Sequence, residues 1–240
     1  FEEVVFKDKS ENYEVTESVL LSSDNAKMGK KSALSRGMEG GIKLRGKNGT
    51  LFGTGGRTGS FTIEFWLFPA LCENGETLFK WRSSKIIKYS PALQLITASF
   101  VSNSIQWKFS NFFFDTNFDS QEIVLSSYNK IIPNKWTHHV LTYDEESGLL
   151  EYKIDGMVEA IKYVTKSGME GDEILSPEIG VTTDIEIAPY FTGCIDDFRI
   201  LKSISSYENR YHTYNKVGGR FETLPLLTTT IGAKFTKLCA

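Results

Sequence analysis

The residues best suited to chemistry lie in one short stretch near the C-terminal end of the sequence, YFTGCIDDFRIL, from Tyr190 to Leu201. Its alternation predicts a β-strand with Phe198 and Ile200 on one face and Arg199 on the other. Asp196 has the same parity as Phe198, so unless a bulge intervenes its carboxylate points to the apolar side of the sheet. An isolated charge there is costly, and the carboxylate therefore requires a cation, an arginine or several backbone N–H donors.

The next acid, Asp197, has the opposite parity, so the same pattern places it on the wet face, where its replacement by Asn would be nearly neutral. A partner for Asp196 could come from the glycine-rich segment 32–52, because closely spaced glycines mark bends and close backbone approach. Carbonyl groups in such bends could bind a hard cation. The alternatives are an ion pair with Arg36 or Arg45, or hydrogen bonds from backbone N–H groups alone.

Histidine and cysteine offer little further chemistry. His138 and His139 are adjacent, so in a strand their imidazoles point to opposite faces and cannot bind one metal ion. They are interpreted as hydrogen-bonded core or surface histidines. The three cysteines include no C-x-x-C pair, which argues against a zinc site, and Cys72 and Cys194 are either buried thiols or one disulfide bridge.

A candidate ligand-binding face follows from polar side chains on successive predicted strands. These residues share polar positions and could line a concave sheet face; they are Lys80, Arg82, Gln94, Gln106 and Lys108. The alternative for the whole set is an ordinary solvated sheet face.

Aromatic residues suggest a second kind of contact. Trp81 and Trp107 share parity with apolar neighbours, which predicts core packing rather than stacking on sugars. The run NFFFDTN, residues 111–117, is expected to expose at least one Phe, because three successive Phe side chains should not all face one interior. Tyr89 is the other loop residue that we expect to be exposed.

Composition limits the function classes. The chain has 240 residues, of which 40% are hydrophobic, enough for one large β domain. Its 27 basic and 30 acidic residues give a formal charge of −3 without basic blocks, so no nucleic-acid partner is expected. No apolar run approaches the roughly 20 residues that span a bilayer. Because the sequence begins with Phe1 rather than Met, we expect one module of a larger, processed chain.

The elements that must position these residues are β-strands. The segment SFTIEFWLFP, Ser60 to Pro69, is the strongest, with hydrophobic residues on both faces, as in a strand between covered surfaces. Asp155-Gly156 predicts a tight hairpin between two further strands. No amphipathic helix separates the strands, so the sequence predicts an all-β fold, a two-sheet antiparallel sandwich.

Four segments follow from the same reading. Residues 1–31 are expected to form a lead-in or edge strands, and residues 32–203 the sandwich domain. Residues 204–219 read as a short helix and linker. Residues 220–240 read as the start of a following β module or as added edge strands.

The order of the motifs SFTIEFWLFP, WTHHVLTYD, YKIDG, PEIG and FTGCIDDFRI resembles the LamG-like jelly rolls of the concanavalin A-like lectin and glucanase superfamily, from about Gly41 to Leu201. The resemblance implies a jelly roll that binds glycans or proteins. It also implies an extracytoplasmic location, in the periplasm, at the cell surface or in the secreted fraction. It also implies one structural calcium ion at Asp196, with carbonyl groups near Gly40 as co-ligands.

The sequence departs from the superfamily's enzymes, which carry paired carboxylates on one strand. The nearest approach is TTDIEIAP, where Asp184 and Glu186 are present but Thr182 occupies the first acid position. A retaining glycosidase needs two carboxylates about 5 Å apart. We therefore expect no enzyme and no catalytic residue. A binding module is favoured, with a structural or assembly domain as the alternative and a glycoside hydrolase as the less favoured one.

Overall fold

The computed structural model of the protein describes residues 7–8, 11–37, 41–53, 55–181, 184–204 and 235–239. All regular elements in these ranges are β-strands, and none of the ranges contains a helix that could span a membrane. The strands form two large antiparallel sheets that enclose the core, and a small third sheet. The predicted all-β, two-sheet antiparallel jelly roll is confirmed.

The larger sheet has nine strands among the described residues, in the order β1-β19-β18-β7-β13-β14-β15, with β4 beside β18 and β3 beside β4. Their bounds are β1 Lys7–Asp8, β3 Leu20–Ser22, β4 Ser32–Arg36, β7 Phe61–Pro69, β13 Thr137–Tyr143, β14 Leu149–Ile154, β15 Met157–Tyr163, β18 Thr192–Leu201 and β19 Phe235–Cys239.

The second sheet has seven described strands, in the order β12-β10-β9-β8-β17-β5-β2, and the third has the order β11-β16-β6. The seven are β2 Tyr13–Glu17, β5 Ile42–Gly46, β8 Thr77–Ile87, β9 Ser90–Val101, β10 Ser104–Ser110, β12 Ile123–Ser126 and β17 Ile185–Tyr190. The third sheet consists of β6 Gly56–Arg57, β11 Phe113–Phe114 and β16 Ser176–Ile179.

The chain ends contribute strands to both sheets where they are described. Strand β2 pairs with β5 at the edge of the seven-stranded sheet, and β19 pairs with both β18 and β1 in the larger one. The predicted helix and linker at 204–219 lie outside the described residues, apart from Ile204. The four predicted segment boundaries stay a prediction.

A column of aromatic rings joins the two sheets. Phe65 of β7 stacks on Phe198 of β18 at 5.6 Å between ring centroids, and Phe198 stacks on Phe79 of β8 at 6.3 Å. Phe79 in turn contacts Trp107 of β10 at 5.8 Å, so the column extends from the larger sheet into the smaller. Burying each of these side chains contributes about 1.5–3 kcal/mol. Trp81 and Trp107 are fully buried, as their parity predicted.

Strand β7 is covered on both faces, as its sequence predicted. Ile63 and Phe65 face the core, while Glu64 and Trp66 on the opposite face are also at least 96% buried. The glycine-rich segment also behaves as predicted at Gly41. A Cβ atom there would lie 2.1 Å from the carbonyl oxygen of Ile187, so the two backbones approach too closely for any side chain.

The expectation that a Phe in 111–117 would be exposed is wrong. Phe112, Phe113 and Phe114 are all at least 98% buried. Asn111 has a positive φ of 50°, which turns the chain, and Phe113 then contacts Phe109 and Tyr143. The error was to assume straight strand geometry, in which successive side chains alternate between faces.

Two hairpins have two-residue turns in which both residues adopt a positive φ, but the residue types differ. Asp155-Gly156 joins β14 to β15 as predicted, with φ values of 50° and 82°. Lys88-Tyr89 joins β8 to β9 with φ values of 47° and 68°, although neither residue is the Asn, Asp or Gly that such turns favour. The side chain of Tyr89 is fully exposed. The second hairpin therefore carries backbone strain without gaining any burial at Tyr89.

We therefore expect Tyr89→Gly to raise the free energy of unfolding by about 1 kcal/mol, because glycine adopts the left-handed conformation without strain. Urea unfolding of both proteins measures the difference. Gly156→Ala, at the well-formed turn, is the matched opposite and should destabilise the protein. A destabilised Tyr89→Gly variant would show that the ring makes a stabilising contact.

Candidate functional site

The outer face of the seven-stranded sheet carries polar side chains in rows that cross the strands. Register places five of them in one row from β5 to β10, in the order Lys43, Glu186, Lys80, Thr97 and Lys108. Directly opposite residues in antiparallel strands share a face, so the row is continuous. At its centre the Lys80 Nζ atom lies 3.3 Å from a Glu186 carboxylate oxygen.

The neighbouring row on this face is uncharged and ends at an exposed ring. Its members carry hydroxyl or amide groups, and they are Thr77, Ser99, Gln106 and Ser126. Tyr190 pairs with Thr77 and is 48% exposed, with its ring centroid 5.8 Å from Lys80 Nζ. An exposed ring thus stands beside an ion pair and a hydroxyl, and further hydroxyls and an amide follow along the same row, which is the kind of polar and aromatic mixture that orients ligands.

Four of the five predicted ligand-binding residues lie on this face. Lys80, Arg82, Gln106 and Lys108 belong to three successive cross-strand rows of it. Lys108 pairs with Glu122 at 2.8 Å, and Gln106 donates a hydrogen bond to Ser126 Oγ at 3.1 Å. Their placement together is as predicted, and their role in binding stays a prediction.

Gln94 does not belong to this face, and its predicted placement there is wrong. Gln94 has the parity of Ile96 and Ala98, which point into the core, and it is completely buried. Its amide nitrogen donates to the carbonyl oxygens of Asn111 and Glu178, both at 2.7 Å, and its Oε1 accepts from Gly180 N at 2.7 Å. These bonds hold neighbouring loops to β9, so Gln94 is a structural residue.

Sequence reasoning did not single out Tyr190 as part of this face. Ala188, with a positive φ of 53°, and a register shift between Ile187 and Tyr190 turn the end of β17. A bulge changes which face a residue occupies, and the local signal for it is Pro189, since proline within a strand that has neighbours on both sides is typical of a bulge. Glu186 was noted only as half of an acid pair.

The two acids of TTDIEIAP are both engaged with cations on this face. Glu186 pairs with Lys80, and Asp184 accepts hydrogen bonds from Arg45 Nε at 3.0 Å and Arg45 Nη2 at 3.4 Å. Their alternate positions on one strand direct both toward the same face, but each carboxylate faces its own cation. The described arrangement therefore contains no carboxylate pair facing a shared substrate position.

Asp196 is buried, but for a different reason than its parity suggested. Asp197 has a positive φ of 47° and the pairing with β7 shifts between Asp196 and Arg199, so a bulge interrupts the alternation. Asp196 consequently lies opposite Trp66, on the face that points away from the core. The bulge that the sequence analysis named as the exception is present, so Asp196 does not face the apolar side.

Backbone N–H groups surround the Asp196 carboxylate. Lys27 N and Met28 N donate to Oδ2 at 2.9 and 2.7 Å, and Asp197 N donates to Oδ1 at 2.8 Å. Burial raises the pKa of this carboxyl, and the backbone donors oppose that rise. The Asp196 carboxylate thus holds the loop before β4 against β18.

This donor set favours the hydrogen-bonded alternative over calcium. Calcium takes six to eight oxygen ligands at about 2.3–2.6 Å. The Asp196 carboxylate instead accepts hydrogen bonds from three backbone N–H groups, whose hydrogen atoms point at its oxygens. Lys27 Nζ lies 4.3 Å from the ring centroid of Trp66, the residue paired with Asp196 on β7. No cluster of three His, Cys, Asp or Glu suited to a metal occurs in the described part of the chain. Gly40, the predicted co-ligand, lies outside the described residues, so the structure does not test the predicted calcium, and our expectation for Asp196 is now the hydrogen-bonded alternative.

Asp197 is not on a wet face, and the expectation of a neutral substitution there does not fit its surroundings. It is 94% buried and binds the Arg199 guanidinium through both oxygens, at 3.2 Å to Nε and through a second, shorter bond to Nη2. Arg199 Nη1 also donates to Glu64 Oε1 at 3.1 Å. Two carboxylates thus share one arginine in a buried site.

The two histidines occupy opposite faces of β13, as predicted. His138 lies against Trp66, with 4.8 Å between ring centroids. His139 is completely buried, stacks on Phe65 at 5.3 Å, and contacts Thr137 Oγ1 and Tyr152 Oη, each at 2.7 Å. Burial, with a smaller contribution from His138, lowers the pKa of His139 to about 3.

Cys72 and Cys194 are free, buried thiols in the structure. Burial raises the pKa of Cys72 to about 11 and raises the pKa of Cys194 as well. A thiol that stays protonated is a poor nucleophile and metal ligand. Of the two alternatives left open by the sequence, the structure has the buried thiols.

We expect substitutions of the two buried acids, Asp196 and Asp197, to lower the stability of the fold to different extents. Asp196→Asn should lower the free energy of unfolding by about 1–3 kcal/mol, because a charged acceptor of three N–H bonds is lost. Asp197→Asn should cost about 3 kcal/mol or more, because Arg199 loses its bidentate partner in a buried site. The exposed control Asp24→Asn should change stability by less than about 0.5 kcal/mol. Urea unfolding measures all three.

The same proteins test for calcium. With three N–H donors on Asp196, we expect the melting temperature of the wild-type protein to be unchanged by a chelator. A drop in melting temperature in the wild type but not in Asp196→Asn would establish a stabilising cation at this carboxylate.

Because His139 is buried as a neutral imidazole, we expect the stability of the fold to decrease at acid pH. Its pKa is about 3 in the folded protein and about 6.5 when unfolded, so between these values only the unfolded chain binds the proton. Stability is therefore complete above pH 6.5 and should fall below it, by up to about 1.4 kcal/mol per pH unit. His139→Gln should lack this component in urea unfolding at pH 7.5, 6.5, 5.5 and 4.5. The imidazole resonances of wild-type His139 should stay those of the neutral ring at pH 5; a midpoint near 6.5 would contradict the assignment.

Two solved structures are similar to this chain. The crystal structure of the botulinum neurotoxin serotype D binding domain is similar at 14% identity with a TM-score of 0.53, covering 85% of this chain and 46% of that one. Domain 4 of AbnA, a GH43 extracellular arabinanase from Geobacillus stearothermophilus solved with arabinotriose, is similar at 18% identity with a TM-score of 0.47, covering 78% and 81%.

At the level of sequence, no curated protein matches this chain. A family model does, over residues 40–208, and its description is that of the concanavalin A-like lectin/glucanases superfamily. The match spans more than half of the chain and includes most of both large sheets. The chain therefore belongs to the concanavalin A-like lectin/glucanase superfamily.

Proposed function

We propose that this protein is a non-catalytic, extracytoplasmic binding module that recognises a glycan through the outer face of its seven-stranded sheet. The observation that carries the proposal is the exposed Tyr190 ring beside the Lys80–Glu186 ion pair, with Gln106 in the adjacent row. Membership of a superfamily of lectins and glucanases supports the class of ligand. The extracytoplasmic setting rests on that membership alone.

The chemistry of this face suits a sugar. A pyranose or furanose ring offers C–H groups for the face of Tyr190 and hydroxyls that both donate and accept hydrogen bonds. Lys80 supplies donors and Glu186 acceptors within 3.3 Å of each other, which matches a pair of neighbouring hydroxyls. The hydroxyls of Thr97 and Ser99 extend the polar surface along the strands.

The absence of catalysis is part of the proposal and rests on the acids of the same face. Asp184 and Glu186 are each engaged with a cation, and they lie two positions apart in sequence, just before and within β17, rather than on opposite sides of a substrate position. Glycoside hydrolysis needs one acid to protonate the leaving group and another to attack or to activate water.

Glycan binding should be weak for one copy and strengthened by multivalent display, because an open sheet face buries little ligand area. A glycan array with the displayed protein, followed by calorimetry on the best ligand, measures both. Tyr190→Ala should raise the dissociation constant about fivefold to tenfold through the lost ring contact.

A matched pair of variants makes the test specific to this face. Lys80→Gln breaks the ion pair with Glu186 and should weaken binding by about tenfold. Lys153→Gln breaks a similarly half-buried pair with Glu151 on the other sheet and should leave binding unchanged. Equal effects of the two variants, or release of reducing ends from the bound glycan, would contradict the proposal.

A further inference from the structure

Beyond Arg82, the same sheet face changes from polar to aliphatic. Register places Val181, Ser84 and Leu93 in one cross-strand row and Ile86 and Pro91 in the next. Three of these side chains are large and far from buried, at 77% exposure for Ile86, 71% for Val181 and 60% for Leu93. We call the set Ile86, Pro91, Leu93 and Val181 the aliphatic end. Grouped exposed apolar residues of this kind mark interaction sites.

The backbone at the aliphatic end has few neighbours. Strand β17 pairs with β8 only as far as Trp81, and β10 pairs with β9 only as far as Leu95. Among the described residues, one isolated bridge from Ser84 to Val181 is the further strand pairing along this hairpin. On the β8 side the hairpin thus presents a short strand edge beyond Ser84 as well as apolar side chains, the two features with which sheets bind extended peptides. On the β9 side the Leu93 carbonyl already accepts a hydrogen bond from Asn111 Nδ2 at 2.8 Å, and Pro91 has no N–H.

Arg82, which borders the aliphatic end, differs from the other basic residues of this face in having no acidic partner among the described residues. The other basic side chains of this face each have an acidic partner at 2.8–3.3 Å, in the pairs Lys43–Glu17, Arg45–Asp184, Lys80–Glu186 and Lys108–Glu122. Arg82 is exposed, lies opposite Leu95, and forms no ion pair with any described residue. A carboxylate brought by a partner would complete the pattern.

We propose that the aliphatic end and Arg82 form a docking site for an extended segment of a partner protein, one that carries aliphatic side chains next to an acidic residue. The aliphatic side chains would cover Ile86, Leu93 and Val181, and the carboxylate would bind the Arg82 guanidinium with bidentate geometry. The proposal rests on other side chains than the glycan function, because Arg82 and the aliphatic end lie beyond Lys80 along β8, on the side away from Tyr190.

Selection of a random 12-residue peptide library displayed on phage tests the chemistry of the partner directly. The wild-type protein is the bait, and the Ile86→Ser, Leu93→Ser double variant is the counter-selection. We expect enriched peptides to combine aliphatic residues with Asp or Glu. No enrichment over the double variant, or enrichment of neutral or basic sequences, would overturn the proposal.

Three single variants then locate the binding of one enriched synthetic peptide, measured by fluorescence anisotropy. Leu93→Ser should raise the dissociation constant at least tenfold. Arg82→Gln should raise it about fivefold and remove most of its dependence on salt, since one ion pair is lost. Lys108→Gln, on the same face among the polar rows, should leave it unchanged. Unaltered melting temperatures would confirm that these exposed substitutions leave the fold intact.

Two further measurements distinguish other occupants of the surface. Sedimentation equilibrium of the wild-type protein should give the monomer mass; self-association abolished by Leu93→Ser would assign the aliphatic end to a second copy and overturn the proposal. Flotation with vesicles of phosphatidylcholine and phosphatidylserine should recover no protein; recovery lost in Ile86→Ser would assign it to a lipid surface instead.

Discussion

The contact between Phe198 and its two aromatic neighbours is the interaction on which the rest of the structure depends. Phe198 stacks on Phe65 within its own sheet and on Phe79 in the opposite sheet, so a single side chain couples the two layers. Once these rings point inward, strand alternation determines the direction of the other residues in β7, and of those in β8 and β18 as far as the register shifts at Thr77/Phe79 and Asp196/Arg199. The polar rows of the candidate site face outward because residues such as Trp81 and Ile96 face inward.

The two sheets differ in what covers their outer faces, and this difference decides where a ligand can bind. On β7, β13 and β18 the outward residues Glu64, His138 and Arg199 are at least 92% buried, so that part of the larger sheet offers no open surface. The outer face of the smaller sheet keeps Tyr190 and Arg82 exposed. It divides into a polar portion, for which we propose a sugar, and an aliphatic end, for which we propose a protein segment.

The bulge at Asp197 gives the buried charges their structural roles. It directs the Asp196 carboxylate to the N–H groups of Lys27 and Met28, and it allows the Asp197 carboxylate to accept hydrogen bonds from the Arg199 guanidinium. Such buried charged groups contribute less to net stability than their geometry suggests, because desolvation offsets much of the attraction. Their value lies in specificity, since leaving Arg199 or Asp196 without partners is expensive in any other strand register.

The sequence by itself determined the architecture, because hydrophobic periodicity, turn residues such as Asp155-Gly156 and the order of the motifs all depend on local geometry. It also brought Lys80, Arg82, Gln106 and Lys108 to one face, since parity along regular strands is enough for that. It misplaced Gln94, whose neighbours in sequence already pointed to the core, and it did not single out Tyr190. For Asp196 it named backbone N–H donors only as one of several alternatives. The positions of Tyr190 and Asp196 depend on bulges at β17 and β18, where one extra residue reverses every later side chain. Only the tertiary structure decided them, because a bulge is stabilised by contacts with distant segments rather than by the residues that form it.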